Sequence, residues 1–126
     1  MADEPDYTRS PPPRRVEGAV SAHDLVIADI RRVFPAGVVQ HAMVIGMANR
    51  RDYGLRKYQV VLHPDNGRDP VRDILDEVED EAAYWRNAFS ADPKLAEVFG
   101  EDYWRCLRTL CRLRSHLIGT VIPEWR

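Results

Sequence analysis

The residues best suited to chemistry crowd into one stretch, HPDNGRDPVRDILDEVEDEAAYW, residues 63–85. It carries Asp73, Asp76, Glu77, Glu79, Asp80 and Glu81, with no basic residue among them. Like charges one helical turn apart repel by a few tenths of a kcal/mol per pair. Solvent, arginines from elsewhere in the fold, or a bound metal ion must offset that repulsion. At about 100° per residue, Asp73, Glu77, Asp80 and Tyr84 fall within roughly 60° of one another on a helix, and their mean direction is roughly 130° from the apolar stripe. This describes a solvated face or one wall of a cleft between helices or subunits. Arg105, Arg108 and Arg112 are the cations placed to neutralise it.

The elements that must position these groups all read as helices. Ser21 followed three residues later by Asp24 is a capping pair, and Leu25, Ile27, Ala28, Ile30 and Val33 continue an apolar stripe until Pro35. Val38, Val39, Ala42, Met43, Ile45 and Met47 recur at helical spacing, with Gly54 bending the end of their helix. A loop follows at VVLHPDNG, because Pro64, Asn66 and Gly67 favour turns. Asp69 is an N-cap and Pro70 fits the first helical position, where its missing N–H costs nothing. Val71, Ile74, Leu75, Val78, Ala82, Trp85 and Phe89 then form one stripe. Asp92-Pro93 opens a short helix that Gly100 closes, and a last helix turns Trp104, Leu107, Leu110, Leu117 and Ile118 inward. The expected fold is an all-α helical bundle of about four main helices, near 22–34, 36–53, 70–90 and 101–119, with a short one near 93–99. Residues 1–20, with RSPPPRR and little apolar anchorage, read as a disordered, Pro-rich, locally polyproline-II tail. Residues 21–126 read as a single domain.

Bulk composition narrows the function classes. A chain of 126 residues, 44% hydrophobic and 30% charged, suits one globular domain. A net charge of −2 gives no reason to expect nucleic acid or an anionic membrane as partner. No run approaches the roughly 18 apolar residues of a membrane span. Cys106 and Cys111, five apart on one helix, cannot bridge each other and read as reduced thiols, which points to a cytoplasmic setting.

The stretch GLRKYQVVLHPDNGRDPVRDILDEVEDEAAYWRNAF, residues 54–89, resembles the signature of short MazG-like proteins within the all-α nucleoside triphosphate pyrophosphohydrolases. The matching pieces are Gly54, Leu55, Lys57-Tyr58, Leu62, Pro64, Asn66-Gly67-Arg68-Asp69, Asp73, and Glu77 with Asp80. DLVIADI, residues 24–30, is also similar to the helix that opens such proteins. The resemblance implies hydrolysis of the α–β bond of a nucleoside triphosphate with Mg²⁺, or Mn²⁺ in its place. It implies Glu77 and Asp80 as catalytic metal ligands, with Asp73 as a further ligand. Lys57 and Arg68 become candidates for phosphate contacts, Tyr58 or Tyr84 for stacking on a base, and Asn66 for substrate binding or loop building. Family members assemble as dimers or tetramers, so a homo-oligomer is the expectation here.

The chain also departs from that pattern. Larger members carry Glu-Glu-x-x-Glu on an earlier helix; residues 38–51 contain no acid, which leaves Asp24, Asp29 and Asp52 as the acids nearest in sequence. Glu79 and Glu81 occupy positions usually apolar in short members, residues 33–49 read as an insertion, and the extension after Asp92 has no counterpart in the signature. A second reading therefore stands beside the first: a MazG-like helical module without catalysis, binding a protein partner through its acidic face and arginine helix.

Overall fold

The computed structural model describes residues 13–119. The chain is all-α, with helices α1 (Ala22–Val33), α2 (Val38–Tyr58), α3 (Pro70–Ala91) and α4 (Lys94–Ile118), and no strand among the described residues. It divides into two compact units, residues 13–68 and residues 69–119, each built on a helical hairpin. No helix of the described residues is long and apolar enough to cross a membrane.

In the first unit α1 packs on α2. Ser21 caps α1 as expected, its Oγ accepting the Asp24 N–H at 3.4 Å. Ile27 and Ile30 are the buried face of α1, and Val60, just past α2, joins them in the core. Leu25 and Val33, expected on that face, are exposed. The second helix runs a full turn beyond the expected 53, through Gly54 to Tyr58, before Gln59 ends it in the left-handed region at φ 58°. A single glycine costs a helix only about 1 kcal/mol relative to alanine, so Gly54 inside a helix of 21 residues does not stop it. No α2 residue is fully buried, and Val38 and Val39 are 87% and 72% exposed. The side that faces α1 instead includes half-buried Met43, Val44, Met47 and Arg51. Arg51 ties the hairpin together, donating to Asp24 at 2.6 Å and Asp52 at 3.0 Å.

The second unit is the α3–α4 hairpin. Asp69 caps α3, its Oδ1 accepting the Val71 and Arg72 N–H groups at 3.0 and 3.3 Å, with Pro70 following. Replacing Asp69 by alanine should lower stability by about 1 kcal/mol, and Asp69→Asn by much less, because an amide oxygen still accepts. Urea midpoints of the two variants test that ranking. Leu75 and Phe89 are buried, while Val71, Val78, Ala82 and Trp85 are half-buried. Ile74, expected in the same stripe, is 50% exposed.

Gly100 does not divide the last segment: 94–118 is one helix, opened by Asp92 Oδ1 accepting the Lys94 N–H at 3.1 Å and closed by Gly119 at φ 80°. The rings on either side of Gly100 are held against α3. Phe99 lies 5.4 Å from Trp85 and Tyr103 lies 5.9 Å from Phe89, centroid to centroid. Aromatic pairs of this kind contribute about 0.5–1.5 kcal/mol each, enough to offset one helical glycine. The inward face of α4 is also displaced from the expected one. Cys106 and Ser115 are its buried residues, whereas Trp104, Leu117 and Ile118 are exposed. With one neighbouring helix to pack against, α4 buries a narrow seam through Tyr103, Cys106, Leu110 and Leu113, which spacings of three and four residues keep on one side.

Of the expected tail, residues 1–12 lie outside the described residues. Residues 13–20 are described, and hydrogen bonds tie Arg14 to the loop after α2. Ordered contacts thus reach back past Ser21, where the sequence places the start of the domain.

Candidate functional site

The residues singled out in the sequence fall in both units. Lys57, Tyr58, Asn66 and Arg68 belong to the first, and Asp73, Glu77 and Asp80 to the second.

In the first unit Lys57 and Tyr58 form the exposed last turn of α2. The Lys57 ammonium lies 5.1 Å from the centroid of the Tyr58 ring. Its contact with the Tyr58 hydroxyl raises its pKa above the ordinary lysine value, so it is a fixed cation at neutral pH. The loop that follows is tightly built. Asn66 is 5% exposed, and its side-chain oxygen accepts the Arg68 N–H at 2.9 Å, a turn that Gly67 completes at φ 79°. Its side-chain carbonyl is thereby committed to shaping the loop, as the Asp69 carboxylate is committed to capping α3. Arg68 is half-buried at the end of this loop.

In the second unit the acids of α3 divide into two sets. Glu79 pairs across the hairpin with Arg114 at 3.0 Å. Glu81 accepts the Trp85 indole N–H at 3.0 Å. These two acids, unusual for the short MazG-like signature, therefore have structural partners on the hairpin. Such a half-exposed ion pair contributes at most about 1 kcal/mol. Asp76, Glu77 and Asp80 carry no ion pair among the described residues, and Glu77 and Asp80 are exposed. Asp73 is half-buried and engaged. Arg105, Arg108 and Arg112 are exposed and pair with none of these acids; Arg114 is the arginine of α4 that does.

Asp24, Asp29 and Asp52 of the first unit already have arginine partners. Asp24 and Asp52 share Arg51, and Asp29 pairs with Arg32 at 3.0 Å. Cys106 and Cys111 are both free thiols. Burial, with Glu81 beside it, raises the Cys106 thiol to about 11, and its Sγ donates to the Val78 carbonyl at 3.4 Å. A thiol so protonated is no nucleophile.

Among the described residues no three His, Cys, Asp or Glu side chains gather into a group that could hold a metal ion. Asp73, Glu77 and Asp80 are thus not drawn together as a triad. Glu77 and Asp80 remain one helical turn apart, a pair of hard oxygen donors without a cation. Mg²⁺ usually takes one or two carboxylates and completes its octahedron with waters and substrate phosphates, so these two are the number of protein ligands it would need. Comparisons with protein-family models, with curated proteins and with solved structures find no match for this chain.

Proposed function

We propose that this chain is a Mg²⁺-dependent hydrolase of nucleoside or deoxynucleoside triphosphates, releasing a monophosphate and pyrophosphate, as its resemblance to the short MazG-like proteins implies. The observation that supports this reading is the crowding of acids on α3 that no arginine offsets. Arg114 partners Glu79 alone, while Asp76, Glu77 and Asp80 have no ion pair among the described residues, and Glu77 and Asp80 stand one turn apart. Bound Mg²⁺ would offset their mutual repulsion and supply Lewis-acid polarisation of phosphate oxygens. Glu77 and Asp80 are the residues that would hold it, with Asp73 nearby on the same helix. The resemblance also implies phosphate contacts for two residues of the first unit, where Lys57 would offer a point charge and Arg68 a planar fork. Tyr58 offers an exposed ring for a base.

The exposed Val38, Val39 and Ile45 of α2 support assembly into a homo-oligomer, since Val38 and Ile45 lie two turns apart on one side of the helix and a contiguous apolar patch is normally covered. Two reduced thiols support a cytoplasmic setting. The exposed Arg105, Arg108 and Arg112, unpaired among the described residues, favour the second reading, a non-catalytic helical module that binds a protein partner through the acidic face of α3 and the arginines of α4.

Thermal melting with Mg²⁺ or Mn²⁺, followed by product analysis with a panel of triphosphates, separates the two. Millimolar metal should raise the Tm, because a ligand bound only to the folded state stabilises it. The double variant Glu77→Gln/Asp80→Asn should abolish that rise without unfolding the chain. The products should be monophosphate and pyrophosphate; diphosphate with orthophosphate would place attack at the wrong phosphorus. No metal-dependent shift and no turnover would leave the interaction module.

A further inference from the structure

The loop that carries Asn66 and Arg68 is fastened by a residue fifty positions away. Arg14 uses three of its groups on it. Its N–H donates to the Asn66 carbonyl at 2.6 Å, and its carbonyl lies 2.7 Å from His63 Nε2. Its guanidinium donates twice to the Asp65 carbonyl, from Nε at 3.0 Å and Nη2 at 2.8 Å. Three of the four residues from His63 to Asn66 are thus held by one side chain and its backbone. A second tie lies further along, where the Ala22 N–H donates to the Leu62 carbonyl at 2.7 Å.

Irregular backbone needs such partners. A loop with Pro64 and Gly67 has no helix or sheet ladder to take its carbonyls, and buried polar groups must be paired. His63 and Asn66 are among the few buried polar residues described, and Ser21, where the segment enters α1, is another. The two backbones run side by side: a Cβ on Gly67 would sit in ordinary van der Waals contact with Arg14 Cβ, at 3.9 Å. The fork geometry matters, because a guanidinium places two N–H groups on one carbonyl where an ammonium offers a rotating point charge. Beside this anchor, residues 15–19 form one wall of a cleft of about 670 Å³ whose other wall is Leu55, Gln59 and Val61.

We propose that Arg14 is a positioning residue for the candidate phosphate loop, and that residues 13–20 are a strap holding Asn66, Gly67 and Arg68 in their turn. The consequence for activity rests on the nucleotide reading above; the fastening does not. Arg14 touches loop carbonyls and not phosphate in this role, so its loss acts through Arg68.

The test uses the full chain with Arg14→Ala, Arg14→Lys and, as control, Arg15→Ala. Amide exchange of peptides spanning 60–68 should accelerate about tenfold in Arg14→Ala, less in Arg14→Lys, and stay at the wild-type rate in Arg15→Ala, with 94–118 unchanged in all three. If Arg14→Ala also loosens 94–118, Arg14→Lys decides at the same peptides. Unchanged exchange over 60–68 in the deciding variant would overturn the strap. With a triphosphate and Mg²⁺, Arg14→Ala should raise KM several-fold while kcat stays within about twofold, the pattern of lost ground-state positioning. Wild-type turnover with an unaltered KM in Arg14→Ala would overturn the positioning role. A wild-type chain that turns over no triphosphate sinks the nucleotide reading alone, and exchange still decides the strap.

Discussion

Leu75→Ala should lower the free energy of unfolding by about 2–5 kcal/mol, whereas Ile74→Ala, one residue earlier, should change it by less than about 1 kcal/mol. Leu75 is the most deeply buried side chain described, at 1% exposure, and removing three carbons there leaves a cavity the hairpin cannot close fully. Ile74 keeps half its surface in water, so alanine removes little buried area and gains slightly in helix propensity. Urea denaturation of both variants measures the contrast through midpoint shifts at unchanged slope. Equal losses would mean that Ile74 is covered by a surface outside the described contacts, such as another copy of the chain.

That contrast also marks how far the sequence could be read. The existence and type of each helix follow from capping and periodicity: Ser21 and Asp69 accept the N–H groups their positions imply. The direction of burial was only partly legible. A stripe drawn at 3.6-residue period is wide enough to admit Ile74 beside Leu75, and on α4 the expected inward set includes Trp104, which lies almost opposite the buried Cys106. A two-helix hairpin buries a narrower seam, and only the structure shows which flank of the stripe meets the neighbour. The glycines misled for the opposite reason. Gly54 carries a local cost too small to end a long helix, and the Phe99 and Tyr103 ring contacts that offset the cost of Gly100 join residues distant in sequence.

The candidate site divides in the same way. That Asn66 and Asp69 build a turn and a cap was legible, because both functions are local in sequence. That Arg114 rather than Arg105, Arg108 or Arg112 would reach Glu79 depends on the rotation of α4, which the displaced seam sets. Arg14 was invisible because a Pro-rich segment shows no periodicity, and its partners are backbone carbonyls, which leave no mark on residue type. The one available signal was the loop itself: a stretch containing Pro64 and Gly67 with buried His63 must find hydrogen-bond partners somewhere.

Glu77→Gln should reduce triphosphate turnover by on the order of a hundredfold or more, while Lys57→Ala should chiefly raise KM. Glu77 and Asp80 are, with Asp76, acids of α3 that no cation pairs among the described residues, and glutamine at 77 keeps the size and hydrogen-bonding reach of the side chain while removing its charge. A neutral amide is a poor ligand for a hard divalent ion, so the variant loses the group that would hold Mg²⁺ against the substrate phosphates. The charge it loses also repels its neighbours on α3, so the apo protein should be no less stable than wild type. That separates lost chemistry from lost fold, and melting without metal checks it. Lys57 is an exposed cation at the end of α2, and its pairing with a phosphate would be felt in ground state and transition state alike. Uniform binding of that kind lowers KM without raising kcat, so alanine at 57 should leave kcat within a few-fold of wild type. Equal turnover by wild type and Glu77→Gln would show that any hydrolysis observed arises from a contaminant or from another site. Loss of turnover in Lys57→Ala at saturating substrate, with Glu77→Gln little affected, would move the chemistry from α3 to the end of α2.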